Sequence, residues 1–172
     1  MKQGFVKVAA ASCAVAVADV RENTRVILET IHKMEDEGAK VMVLPELALT
    51  GYTCSDLFWQ SQMIDAAKEG LKEIADGTKG TDALIFVGLP WEQGGKLFNV
   101  AAVLCHGELL GVVPKKYLPN YNEFYELRHF TPGKEAVTTT EFFGKEVPFG
   151  MNLLFRLSLI HISEPTRLRR IS

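Results

Sequence analysis

Three short apolar runs limit what this chain can become. Residues 5–11, 41–45 and 83–89 (ALIFVGL) are bounded by polar or turn-forming residues and separated by helical patterns. Buried strands that alternate with helices read this way, so the pattern predicts an α/β fold. The first helix is predicted over about 20–36. Asp19 stands at the N-cap position with Glu22 three residues on, Ile27, Ile31 and Met34 make one apolar face, and Arg21, Glu29, Lys33 and Glu35 make the wet one. Gly38 ends it. A second helix is predicted over about 60–75, with Met63, Ala67, Leu71 and Ile74 on one side and DGTKG as its stop.

Past Pro90 the pattern changes. KLFNVAAVLCHGELLGVVPK reads as two adjacent strands joined at His106 and Gly107, a hairpin, so the sheet is predicted to be mixed. From Gly133 onward the chain is again β-prone, rich in Thr and Phe with glycines at turns. No repeat or linker divides it.

Composition narrows the function. At 172 residues and 47% hydrophobic content the chain can bury a core, which excludes disorder and fibrous classes. A net charge of -2 with scattered lysines leaves no basic stripe, so no nucleic-acid partner is expected. Lys7 and Asp19 interrupt the apolar N-terminal stretch, which therefore reads as a strand rather than a signal peptide or membrane segment, and a cytoplasmic location is expected. Cys13, Cys54 and Cys105 show neither CxxC spacing nor a neighbouring histidine pair, so free thiols are expected, with Cys13 and Cys105 in core strands, and no metal site. His32, His106 and His129 lack ligand spacing.

Two motifs carry chemistry. In KVMVLPELALTGY (40–52) an apolar strand runs into a proline and then Glu46, and in VVPKKYLPNYNEFYE (112–126) another runs into a proline and then Lys115. A carboxylate at a buried strand end must be paired, hydrogen-bonded or employed, because desolvating it alone costs several kcal/mol or more, as an order of magnitude. A strand-end carboxylate and a strand-end ammonium facing one pocket suit proton abstraction and oxyanion stabilisation.

LPELALTGY and PKKYLPNYNEFYE, separated by LFNVAAVLCHGELLG, resemble the carbon-nitrogen hydrolase (nitrilase) superfamily over about residues 5–155. The extensions TGYTCSDLF and KYLPNYNEFYE are most similar to the N-terminal glutaminase domain of glutamine-dependent NAD synthetases. The resemblance implies a nitrilase-type α-β-β-α sandwich, two sheets face to face with helices outside, of which this chain supplies the N-terminal part. It also implies a Glu, Lys, Cys triad, with Glu46 as general base and Lys115 as oxyanion-stabilising lysine. Glutamine would be the small-molecule substrate and Tyr52 and Tyr121 would line its pocket, unless they serve ordinary packing. Glu126 is either a supporting acid or a solvated loop carboxylate. The domain itself implies no cofactor; ATP and Mg belong to a synthetase domain that this chain lacks, having no SGGxDS stretch and no P-loop, with Leu97 at the Ser/Thr position of GGKL. The family tends to form homo-oligomers at full length.

The nucleophile departs from the pattern. The family's cysteine sits in a CEDLW-like stretch beyond the lysine, and no cysteine follows Cys105. Cys54 is near Glu46 in sequence and is a rival nucleophile, but the GYTCSDLF loop is not that motif. Residues 156–172 hold four of the seven arginines and no lysine, whereas residues 1–155 hold all twelve lysines. A basic tail would explain this, yet SLIHISEPTRL resembles a translated sequencing adapter. Residues 1–155 are therefore read as a partial carbon-nitrogen hydrolase domain, and 156–172 as an aberrant, non-native tail beyond which the natural protein continues. Other readings stay open: another amidase or carbamoylase of the superfamily, or a non-catalytic binding or assembly module.

Overall fold

The computed structural model describes residues 5–157; the aberrant-tail reading thus falls almost wholly outside the described residues. The elements run β1 (Val8–Ala10), α1 (Val20–Asp36), β2 (Val41–Val43), a 3-10 turn (Ser55–Trp59), α2 (Ser61–Gly77), β3 (Leu84–Gln93), β4 (Lys96–Cys105), β5 (Glu108–Pro114), the single turn α3 (Glu126–His129), β6 (Thr138–Phe142) and β7 (Lys145–Phe149). The strands make one seven-stranded sheet in the order β1-β2-β3-β4-β5-β7-β6. β1, β2 and β3 are mutually parallel and β3, β4 and β5 antiparallel, so the sheet is mixed as the sequence predicts.

Both long helices form where their patterning places them. The Asp19 carboxylate accepts from the Glu22 N–H at 3.0 Å, capping α1. Ile27, Ile31 and Met34 on α1 are buried, as are Met63, Ala67, Leu71 and Ile74 on α2. They meet Ile85, Val87, Leu89 and Trp91 from one face of β3 in a single core. Trp91, fully buried, donates its indole N–H to Thr140 Oγ1 at 3.0 Å, tying β3 to β6.

The opposite face of the sheet takes the other residues of each strand. β3 is longer than its apolar run: it continues through Pro90 to Gln93 and pairs with β4 along its whole length. Proline is tolerated because β2 pairs only with Leu84–Phe86. Phe86 and Gly88 turn their carbonyls to that side, toward Leu44 and Leu49, and by alternation Pro90 turns its missing N–H there too. The β4–β5 hairpin turns at His106 and Gly107, with φ of 50 and 76, the two positive values of a type I′ turn. Cys13 corrects an expectation: it lies in the irregular segment after β1, half-buried, and Cys105 is the half-buried last residue of β4. Among the described residues no helix is long and apolar enough to cross a membrane.

Candidate active site

The site begins where β2 stops. Leu44 still donates to Phe86 O at 2.9 Å, then Pro45 removes the next donor and the chain turns over β3. Leu47, fully buried, sits at φ 49, a left-handed conformation costly for leucine and held here by its surroundings. Its carbonyl accepts from Gly51, and Leu49 N–H donates to Gly88 O at 3.2 Å. Asn23 of α1, buried, donates to Leu49 O at 3.0 Å and so pins the same turn from the helix side.

Gly88 permits this close approach. A Cβ there would stand 2.5 Å from both Leu47 N and Pro45 O and 2.9 Å from Glu46 Cα. Only a strand without a side chain at that position lets residues 45–47 rest on the sheet.

Lys115 arrives from the neighbouring strand end. Its N–H donates to Asn99 O at 2.8 Å and its carbonyl accepts from Gly133 at 2.8 Å, so its backbone is held from both sides just past β5. Its ammonium donates to Glu46 Oε1 at 2.7 Å and to Glu126 Oε1 and Oε2 at 2.9 and 3.0 Å. The ammonium is thereby held between two carboxylates, with both Glu126 oxygens lying on one side of it. Burial works to lower the Lys115 pKa, but the hydrogen bonds and charges of Glu46 and Glu126 outweigh it, and the net shift is upward. Lys115 stays a cation.

Glu126 is 4% exposed and opens α3, which settles its setting: it is a buried, paired carboxylate and not a solvated loop group. Tyr52 donates its hydroxyl to Glu126 Oε1 at 2.8 Å. Burial first, and then the bond to Glu126, push the Tyr52 phenol well above its ordinary range, so it remains a donor. Tyr121 makes no hydrogen bond to these groups. It is exposed and packs edge-on against Phe124, which in turn packs edge-on against Tyr52.

Glu46, Asn99 and Lys115 line a groove of about 540 Å³ together with Val41, Val43, Phe86, Ala101 and Val113 on the sheet face away from the helices. Cys54 does not join them. It is buried, donates to Thr50 O at 3.0 Å, and burial raises its thiol pKa, which describes an inert packing thiol. Four contributors escape a reading of residue types. Asn99 has one visible signal, a lone polar residue in LFNVAAVL; Gly88, Leu47 and Asn23 act through backbone geometry and packing that the sequence does not display.

A mixed sheet with helices on one face thus carries a carboxylate–ammonium–carboxylate cluster on the other, and no metal-ligand cluster is found among the described residues. Residues 7–154 match the carbon-nitrogen hydrolase family, to which the chain belongs. It is 36% identical over 157 residues to the glutamine-dependent NAD(+) synthetase of Mycobacterium tuberculosis (strain ATCC 25618 / H37Rv), covering 91% of this chain and 23% of that protein. The corresponding protein of Aquifex aeolicus (strain VF5) is 35% identical over 135 residues, covering 78% and 23%. A crystal structure of a glutamine-dependent NAD(+) synthetase from Cytophaga hutchinsonii superposes with a TM-score of 0.84 at 29% identity, over 89% of this chain and 26% of that one. An amidase from Nesterenkonia sp. shares the fold, with a TM-score of 0.66 at 22% identity over 86% of this chain and 56% of the amidase. The chain spans about a quarter of the length of the NAD synthetases it matches.

Proposed function

We propose that this chain carries the acid–base half of a glutaminase site that supplies ammonia for the ATP-dependent amidation of deamido-NAD. The observation that carries the reading is the Glu46–Lys115–Glu126 cluster, with Lys115 bonded to both carboxylates over the groove. Glu46 takes the proton of a cysteine thiol, and the thiolate attacks the side-chain amide carbon of glutamine. Lys115 supports the oxyanion, ammonia leaves, and water hydrolyses the thioester to glutamate. Glu126, fixed by Tyr52, holds Lys115 in place, and Tyr52 and Tyr121 wall the approach. The reading assigns this thiol to none of Cys13, Cys54 and Cys105; Cys54, the rival nearest Glu46 in sequence, is buried with its thiol pKa raised. The chain as given is therefore inactive, and ATP and Mg act on a synthetase domain outside it. Free thiols fit a cytoplasmic protein, and the full-length protein assembles as a homo-oligomer.

The test is to read the locus downstream of codon 155, express the cysteine-bearing product, and measure ammonia release from glutamine. The expected result is release that falls by about 10²–10⁴ in E46Q, with none from the 172-residue chain. Release unchanged by E46Q, or glutamine hydrolysis by the purified chain, overturns the reading. A second reading, an amidase of the same superfamily acting on another small amide, is favoured by the shared fold with the Nesterenkonia amidase and would show as hydrolysis of simple amides in preference to glutamine.

A further inference from the structure

We propose that Asn99 is a positioning residue that selects which oxygen of Glu46 acts as the base; this rests on the glutaminase reading above. Asn99 is the one polar side chain in the apolar run LFNVAAVL, and at 3% exposure it is buried in the middle of β4. Its register partner is Pro90 on β3, so its side chain rises from the same sheet face as Gly88, the face on which the Glu46 turn rests. From there Asn99 Nδ2 donates to Glu46 Oε1 at 2.5 Å. Lys115 Nζ donates to the same oxygen at 2.7 Å.

Both hydrogen bonds that the Glu46 carboxylate accepts from the described residues thus fall on Oε1. An oxygen holding two donors, one of them cationic, is a poor proton acceptor, because a new proton must displace a bond already made. Oε2 keeps its lone pairs free. When the nucleophile reacts, its S–H bond breaks, the proton passes to Oε2, and the sulfur keeps the electron pair. Asn99 itself exchanges no proton and touches no substrate.

Asn99 also couples the two charged partners. Its carbonyl accepts from Lys115 N–H at 2.8 Å while its amide holds Glu46. One residue in the interior of a strand therefore fixes both the backbone of the ammonium and the rotamer of the carboxylate. A rigid strand is a more exact support than a loop, and a misplacement of about 1 Å costs about 10²-fold in rate. Lys115 alone does not replace this, since its ammonium is shared with Glu126 and a rotatable ammonium fixes the direction of the carboxylate less closely than a planar amide.

The experiment is NMR on the 172-residue chain. A through-hydrogen-bond coupling from Asn99 15Nδ2 to the Glu46 carboxyl carbon, and Glu46 three-bond couplings of a single rotamer, are expected in the wild type. In N99A the Glu46 couplings should average while Trp91 keeps its native shifts; in K115A the Asn99–Glu46 coupling should persist. A missing coupling in the wild type, which needs no variant to fold, or a Glu46 rotamer unmoved in N99A, overturns the proposal. In the cysteine-bearing gene product, N99A should lower kcat about 10²-fold at unchanged KM. If E46Q abolishes ammonia release and N99A keeps kcat, this inference fails alone; if E46Q leaves release intact, the glutaminase reading itself fails.

Discussion

The turn that presents Glu46 depends on a residue with no side chain. G88A places a methyl 2.5 Å from two backbone atoms of residues 45 and 47, and backbone cannot give way as the end of a flexible side chain can. We expect a loss of about 1–3 kcal/mol in urea denaturation, as for an overpacked core. We also expect loss of the Lys115–Glu46 bond, seen as a changed Lys115 ammonium signal. A G88A protein of unchanged midpoint would show that the turn moves freely. At this scale the sequence displayed the charged players and hid their supports. Glu46 and Lys115 follow prolines after apolar runs, a pattern visible in letters alone. The burial of Glu126 was not visible, because a carboxylate in NEFYE reads equally as wet or dry until α3 folds it under Tyr52.

Helix and strand placement was legible wherever periodicity spoke. α1 and α2 carry their apolar faces at helical spacing, and the β4–β5 hairpin announces itself by its His106–Gly107 turn. β3 runs past its apolar letters because Pro90, which reads as a terminator, does not end it. It is harmless only because β2 stops short of it, a fact of topology and not of local sequence. The end of α2 allows a pH prediction. Asp76 is held by Lys72 and by Lys79, the latter at 2.8 Å, and these bonds lower its carboxyl pKa from 3.8 to about 2. A depressed carboxylate stabilises the fold above its unfolded value, and the contribution is lost as pH falls through the folded one. An Asp76 carboxyl titration by 13C NMR should therefore have its midpoint near 2 and move up toward 3.8 in K79A. A wild-type midpoint near 3.8 would show that the ion pairs do not persist in solution.

The molecule as a whole has one finished side. The helices cover one face of the sheet, while Val8, at 66% exposure, and Val43, at 43%, look out from the other beside Phe86 and the groove. β1 also pairs on one edge only. An exposed apolar face bordered by an open strand edge favours association. Sedimentation of the purified chain should show concentration-dependent self-association, reduced in V43K; a monomer at all concentrations would contradict this. The sandwich implied by the sequence resemblance has a second sheet face to face with the first; the described residues form a single sheet whose groove-bearing face remains open.

Glu46 meets Asn99 and Lys115 across 53 and 69 positions of chain. On a ribosome adding about 5–20 residues per second, Lys115 is made about 3–14 s after Glu46. Asn99 is made first and Lys115 16 residues later, so for that interval the Glu46 carboxylate lacks the ammonium that binds it in the folded chain. The pairing of β4 and β5 against β3 is what brings both donors to Glu46, so the cluster assembles only once that part of the sheet has closed.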